Sequence, residues 1–185
     1  MMTWLFLLLA AFNSSEKKIE IQILPESTFR LKASSNVNKF TCDLNGCLDY
    51  QCMTLFYTQS GNEVVFSNAA LKIDVDDFDC HNRRLTSDMK ETLQRDDFPN
   101  ITIQLLNIDP AEEHAHVMIT LTDVTRAYTF DYKLTKTIEG LYQLNATVPL
   151  QMSQFDIVPP KPFLGLIEVD DDIIIELSLL LQVNG

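Results

Sequence analysis

Apolar and polar residues alternate with a period of two along most of the chain, so each segment carries one apolar face. In KIEIQI that face is Ile19, Ile21 and Ile23, and in TFRLKA it is Phe29, Leu31 and Ala33. The spacing predicts two strands joined around Pro25, then a third, short strand from Asn38 to Leu44. After a turn through NGCLDYQC come MTLFYT and, past Ser60-Gly61-Asn62, VVFS and LKIDVDDF, where Leu71, Ile73 and Val75 oppose Lys72, Asp74 and Asp76. Further strands are predicted at Val117 to Leu121, Ala127 to Leu134, Tyr142 to Leu150 and Ile173 to Leu181. Turn chemistry separates them at Asn107 to Glu113, Glu139-Gly140 and Val158-Pro159-Pro160.

The rhythm breaks once, between Leu85 and Leu105. Leu85, Met89 and Leu93 fall four apart and share one helical face, with Thr86 or Ser87 as the expected N-cap and Asp88 and Glu91 near the positive helix end. Phe98-Pro99 stops this short helix, because the proline ring cannot continue the turn. The chain then leaves as a strand with Ile101, Ile103 and Leu105 on one face and Thr102 and Gln104 on the other. Many one-faced strands with a single short helix must close on themselves or form a sandwich. Closure removes exposed edges, and an eight-strand barrel is wide enough for its own side chains or one small ligand.

The helix, the Phe98-Pro99-Asn100-Ile101 break and the strand after it resemble the centre of the YceI-like family. Ser27-Thr28-Phe29 and Asn38-Lys39-Phe40 are similar to the starts of that family's first long strands, and Val117 to Leu134 to its paired strands around a tight turn. Val148 to Val169 resembles its penultimate strand and the loop ahead of the closing strand, with Phe155, Gly165, Ile167, Val169 and Asp171 in keeping. Met152 stands where many members carry arginine, Asp156 where many have glycine, and Asp123-Val124-Thr125 replaces a glycine-containing turn. The resemblance implies an all-β fold, a closed antiparallel lipocalin-like barrel of about eight strands with one short helix. It also implies a function, holding a polyisoprenoid, isoprenoid quinone or similar long apolar molecule for carriage, storage or sensing outside the cytoplasm.

The expected ligand-binding residues of such a barrel lie on the apolar faces: Ile101, Ile103, Leu105, Ile119, Leu121, Tyr128, Phe130, Tyr132, Leu144, Val148 and Ile175, with Val117, Ile173 and Leu177 beside them. Phe98 and Phe155 join this set, and Met89 and Leu93 are expected as a cover at the barrel mouth. Each methylene moved from water into such a lining is worth about 0.8 kcal/mol, so a long chain needs no polar contact to be held. Patterning alone favours the alternative, a structural or interaction barrel filled by its own side chains. The resemblance reverses that balance, so a lipophilic small molecule is the expected partner, a homodimer is left open, and no cofactor is expected apart from a bound isoprenoid lipid.

Composition narrows the rest. Apolar residues make up 46% of the chain, enough for one sizeable core, and a net charge of −12 disfavours nucleic acid and anionic membrane surfaces. The apolar run Trp4 to Phe12 is too short to span a bilayer and ends at the polar NSSEKK, so residues 1–14 read as a signal peptide and residues 15–185 as one barrel domain. Periplasmic or secreted location follows from that reading, without a stable membrane span. Cys42, Cys47, Cys52 and Cys80 make an even count, and of the three pairings the positions favour Cys42 with Cys80, both just past strands, and Cys47 with Cys52 across the loop. No metal is expected: C-x4-C-x4-C is not a zinc-ribbon spacing, His114 and His116 lie in the hairpin-tip segment DPAEEHAH, and the acidic runs at Asp74 to Asp79 and Asp170 to Asp172 lack a calcium loop's spacing. The chain has no G-x-S-x-G elbow, P-loop or dinucleotide fingerprint, so an enzyme is not expected. Asn100-Ile101-Thr102 and Asn145-Ala146-Thr147 are glycosylation sequons, meaningful only in a eukaryotic secretory pathway.

Overall fold

In the computed structural model, which describes residues 15–45, 52–161 and 163–184, the alternating segments are strands of one antiparallel sheet. They are β1 (Lys17–Ile23), β2 (Thr28–Ser35), β3 (Lys39–Leu44), β4 (Cys52–Ser60), β5 (Glu63–Asp74), β6 (Phe78–Asp79), β7 (Asn100–Asp109), β8 (His114–Leu121), β9 (Val124–Lys136), β10 (Tyr142–Gln151) and β11 (Val169–Asn184). The helix α1 (Arg83–Thr92) lies between β6 and β7. The segments VVFS and LKIDVDDF are not separate strands: β5 runs through both up to Asp74, with a register shift between Val65 and Ala69, and Val75–Asp77 then forms a 3-10 turn.

The sheet closes because β1 pairs with both β4 and β11. Closure gives an eight-strand antiparallel barrel, lipocalin-like, in which β1 and β2 follow one another along the long β11. The break between them falls at Pro25, which has no N–H to give to the ladder. Leu24 N–H still reaches the Leu180 carbonyl at 2.8 Å, and Leu180 N–H is taken by the Ser27 hydroxyl at 2.9 Å. Similarly, β3 pairs with β2 and β4 with β1, and β6 pairs with β3 beyond the point where β5 pairs with β4.

Alternation places Phe29, Ile73, Ile101, Val117, Ile119, Val148 and Ile175 in one buried cluster. β9 and β10 pair only from Tyr132 to Lys136 against Tyr142 to Ala146. Above that seam the 3-10 turn Met152–Phe155 packs on β9: the Tyr128 and Phe155 rings stack at 6.0 Å, Tyr128 Oη donates to Gln154 Oε1, and Arg126 Nε donates to the Gln154 carbonyl at 2.8 Å. Asp171 fixes the turn by accepting from Ser153 N–H at 2.8 Å and from its hydroxyl. Asp156 closes it with φ 57°, the left-handed conformation for which glycine is the default and aspartate one of the few tolerated substitutes.

Candidate functional site

Helix α1 begins three residues before the earliest expected cap. Asn82, not Thr86 or Ser87, is the N-cap, its Oδ1 accepting from Arg84 N–H at 3.0 Å and Leu85 N–H at 3.1 Å. Asp88 and Glu91 consequently lie beyond the first turn. Thr86 has a different task, donating its hydroxyl to Asp79 Oδ1 at 3.1 Å and accepting from Cys80 N–H at 2.9 Å. At the other end Lys90 donates to the Asp76 carbonyl and Arg95 to the Asp76 carboxylate, each at 2.5 Å. The Arg95 hydrogen bond, helped by Lys90, outweighs desolvation and holds the Asp76 carboxyl below its usual range.

A disulfide joins Cys42 on β3 to Cys80, just ahead of α1, as the sequence predicts. The other expected pairing involves Cys47, outside the described residues; Cys52 stands exposed at the start of β4 with a free thiol. Next to the bridge, Asp43 accepts from Arg30 Nε at 2.7 Å and lies 2.7 Å from His81 Nε2. Burial would raise the Asp43 pKa, but the hydrogen bonds from His81 and Arg30 outweigh it and hold the carboxyl low.

Fastened this way, α1 covers one side of an apolar pocket of about 580 Å³ at the barrel mouth. Leu85, Met89 and Leu93 face it from the helix and its C-cap, Leu31 and Ala33 from β2, Phe40 from β3, Val169 and Ile173 from the neighbouring β11, and Met152 from the 3-10 turn after β10. Its polar residues include Lys32, Lys39, His81, Asn82, Arg84 and Asp88. A second hollow of about 620 Å³ lies between β2, β9, β10 and β11, but Arg30, Asp131, Lys133 and Glu176 make it a charged groove.

Of the expected lumen and mouth residues, Met89, Leu93 and Ile173 line the apolar pocket. Ile101, Ile119, Leu121, Tyr132, Val148, Phe155 and Ile175 are buried in the core cluster, with Ile103, Leu105, Tyr128, Phe130 and Leu144 packed against it. Phe98 is half-buried in the link from α1 to β7. The site residues on β2, β3 and the β11 end were legible only as apolar faces, because nothing local shows which end of a strand meets the helix.

The turn of the β7–β8 hairpin covers residues 110–113; His114 opens β8 directly after it, opposite Asp109, and His116 lies two residues further along the strand. They face cross-strand partners: His114 Nδ1 is 2.8 Å from Asp131 Oδ1, and His116 Nδ1 is 2.8 Å from Thr129 Oγ1. Among the described residues no His, Cys, Asp and Glu side chains converge in a group able to hold a metal, and no helix is long and apolar enough to cross a membrane.

The model of the YceI-like domain matches residues 27–181. The chain belongs to the YceI-like family. Solved structures share this fold at low identity, among them the following two. Burkholderia cenocepacia BcnA is 12% identical with a TM-score of 0.59, over 86% of this chain and 96% of its own. A polyisoprenoid binding domain from Saccharophagus degradans, implicated in plant cell wall breakdown, is 10% identical with a TM-score of 0.61, over 89% of this chain and 98% of its own. Among curated proteins, none matches the chain. The YceI-like fold is a binding fold, and the pocket under α1 is lined mainly by apolar side chains.

Proposed function

We propose that this YceI-like protein binds a lipophilic small molecule of isoprenoid type in the pocket under α1, outside the cytoplasm, with residues 1–14 removed as a signal peptide. The observation that carries the reading is the apolar pocket of about 580 Å³, within the roughly 300–1,000 Å³ usual for small-molecule sites. The polyisoprenoid-binding description of the Saccharophagus degradans domain and the extracytoplasmic habit of disulfides support it. Met89 and Leu93 contact the guest directly, and the buried residues from Ile101 to Ile175 serve as the packed interior beneath. The role is binding without chemistry: apolar surface leaves water as the guest fills the pocket.

The second reading, a barrel filled by its own side chains, draws on the burial of Ile101, Ile119, Phe155 and Ile175. Native mass spectrometry of protein purified from its source separates the two. Binding predicts a co-purifying lipid mass or uptake of an added prenyl quinone, weakened by Met89→Asp. A bare mature mass with no uptake favours the filled barrel.

A further inference from the structure

Two loops beside the pocket are pinned to each other and leave their apolar side chains bare. Asn36, in the turn between β2 and β3, holds the connection from β10 to β11 much as a neighbouring strand would. Its N–H donates to the Glu168 carbonyl at 3.0 Å, its Nδ2 donates to the Leu166 carbonyl at 3.1 Å, and its Oδ1 accepts from Glu168 N–H at 3.1 Å. Val169 N–H donates to the Pro160 carbonyl at 3.2 Å and closes the connection on itself. Yet on these loops Val37 is 65% exposed, Leu166 76% and Val158 81%, and Leu164 is fully exposed. Leu164 also takes φ 59°, a left-handed conformation that costs a bulky side chain more than it costs asparagine or glycine. The bend holds a leucine outward under strain, with no burial inside the protein to offset it. Single exposed apolar residues are ordinary; four on two adjoining loops mark a contact surface.

Resting on the reading that the pocket under α1 holds a lipid, we propose that Val37, Val158, Leu164 and Leu166 seat the protein on a zwitterionic bilayer surface, where the guest passes between membrane and pocket. Val37, Pro160 and Ile167 of the same two loops line the pocket, so the exposed apolar side chains begin where the pocket lining ends. A lipophilic guest resides in bilayers, and a mouth pressed to the membrane spares it passage through water. Charge suits the same surface. Lys39 and the Lys161–Glu168 pair, 3.2 Å apart, flank the loops and offer cations to phosphate and a carboxylate to ammonium, the two charges of a zwitterionic headgroup. The net charge of −12 works against an anionic surface. A stable contact with a second copy needs roughly 800 Å² on each partner, matched in shape, whereas a bilayer accepts a few protruding apolar side chains in any arrangement.

The test floats the protein, as processed by its source, with phosphatidylcholine vesicles free of guest. The parent should rise with the vesicles as strongly in high salt as in low, because apolar burial holds it. The paired substitution Leu164→Asn and Leu166→Ser, at positions that line neither the pocket nor the core, should weaken vesicle binding roughly tenfold or more. Asparagine suits the left-handed bend, and circular dichroism checks that the variant is folded. Uptake of ubiquinone added from ethanol should be unchanged in the variant, while uptake from ubiquinone-loaded vesicles should slow severalfold. No flotation of the parent, or equal flotation of parent and variant, overturns the docking surface. A parent that stays off the vesicles but sediments as a dimer, with the dimer lost in the variant, overturns it in favour of a second copy. Flotation without any ubiquinone uptake from ethanol overturns the lipid-binding reading and leaves the membrane contact standing, so the two failures are distinct.

Discussion

Replacing both Cys42 and Cys80 by alanine isolates what the bridge contributes. The two residues are 38 apart, and closing a loop of that length removes denatured-state entropy worth about 4 kcal/mol on the chain-entropy relation. For a chain of this size each kcal/mol moves Tm by roughly 2–4 °C, so the double variant should melt about 8–16 °C lower. Alanine replacement is preferable to chemical reduction, because Cys52 keeps a free thiol that exchanges with a reopened bridge. Urea unfolding of both proteins gives the stability difference, and hydrogen exchange shows where it acts. Protection should fall first in α1 and β6, since Cys80 lies between them and β6 has few other contacts. A loss below about 1 kcal/mol, or exchange that rises evenly over the barrel, would refute the view that the bridge anchors the helix over the mouth.

Asn82→Ala removes the acceptor for two helix N–H groups and should cost about 1 kcal/mol, with Asn82→Asp restoring most of it; equal stability of all three proteins in urea would count against the cap. Asp43 and Asp76 have folded-state pKa values below the ordinary 3.8, so the stability they provide is complete above that value and is lost as pH falls through the lower folded-state values. Asp43→Asn should therefore flatten the acid limb of a stability–pH profile, and an acid limb matching the parent's would show that the Arg30 and His81 contacts are inert. Burial raises the pKa of Tyr128 and of Tyr132, the latter also through Glu113 and Asp109, so both phenols should ionise later than a free tyrosine, and the stability they confer should drain as pH rises past about 10. Ultraviolet titration with and without Tyr128→Phe measures this. Phe155→Ala, at a fully buried ring stacked on Tyr128, should destabilise by about 3–5 kcal/mol in thermal or urea unfolding.

Strand identity and facing are local properties, and the alternation of Ile101, Ile103 and Leu105 or of Ile173, Ile175 and Leu177 sets both, because a one-residue slip would turn every apolar side chain to solvent. The face of α1 was equally legible from Leu85, Met89 and Leu93. The cysteine positions favoured Cys42 with Cys80 among three pairings, and the fold selects it. The N-cap was not: Thr86 and Ser87 look suitable by residue type, but the helix starts where Asn82 turns its carboxamide back on the backbone, and Thr86 is held by Asp79 and Cys80.

The sequence by itself determined most of the strands, their inward faces, the short helix and the family resemblance, all of which depend on neighbours along the chain or on residue type. Tertiary structure alone decided where open volume remains. Leu31, Met89, Met152 and Ile173 surround one pocket because closure through β1 and β11 brings distant segments to the same end of the barrel. Phe29, Phe78 and Ile175, equally apolar, sit one inward position deeper and pack solid. Hydrophobic periodicity says which way a side chain points; whether it meets another side chain or an empty space depends on how all the strands stack, and no stretch of sequence records that.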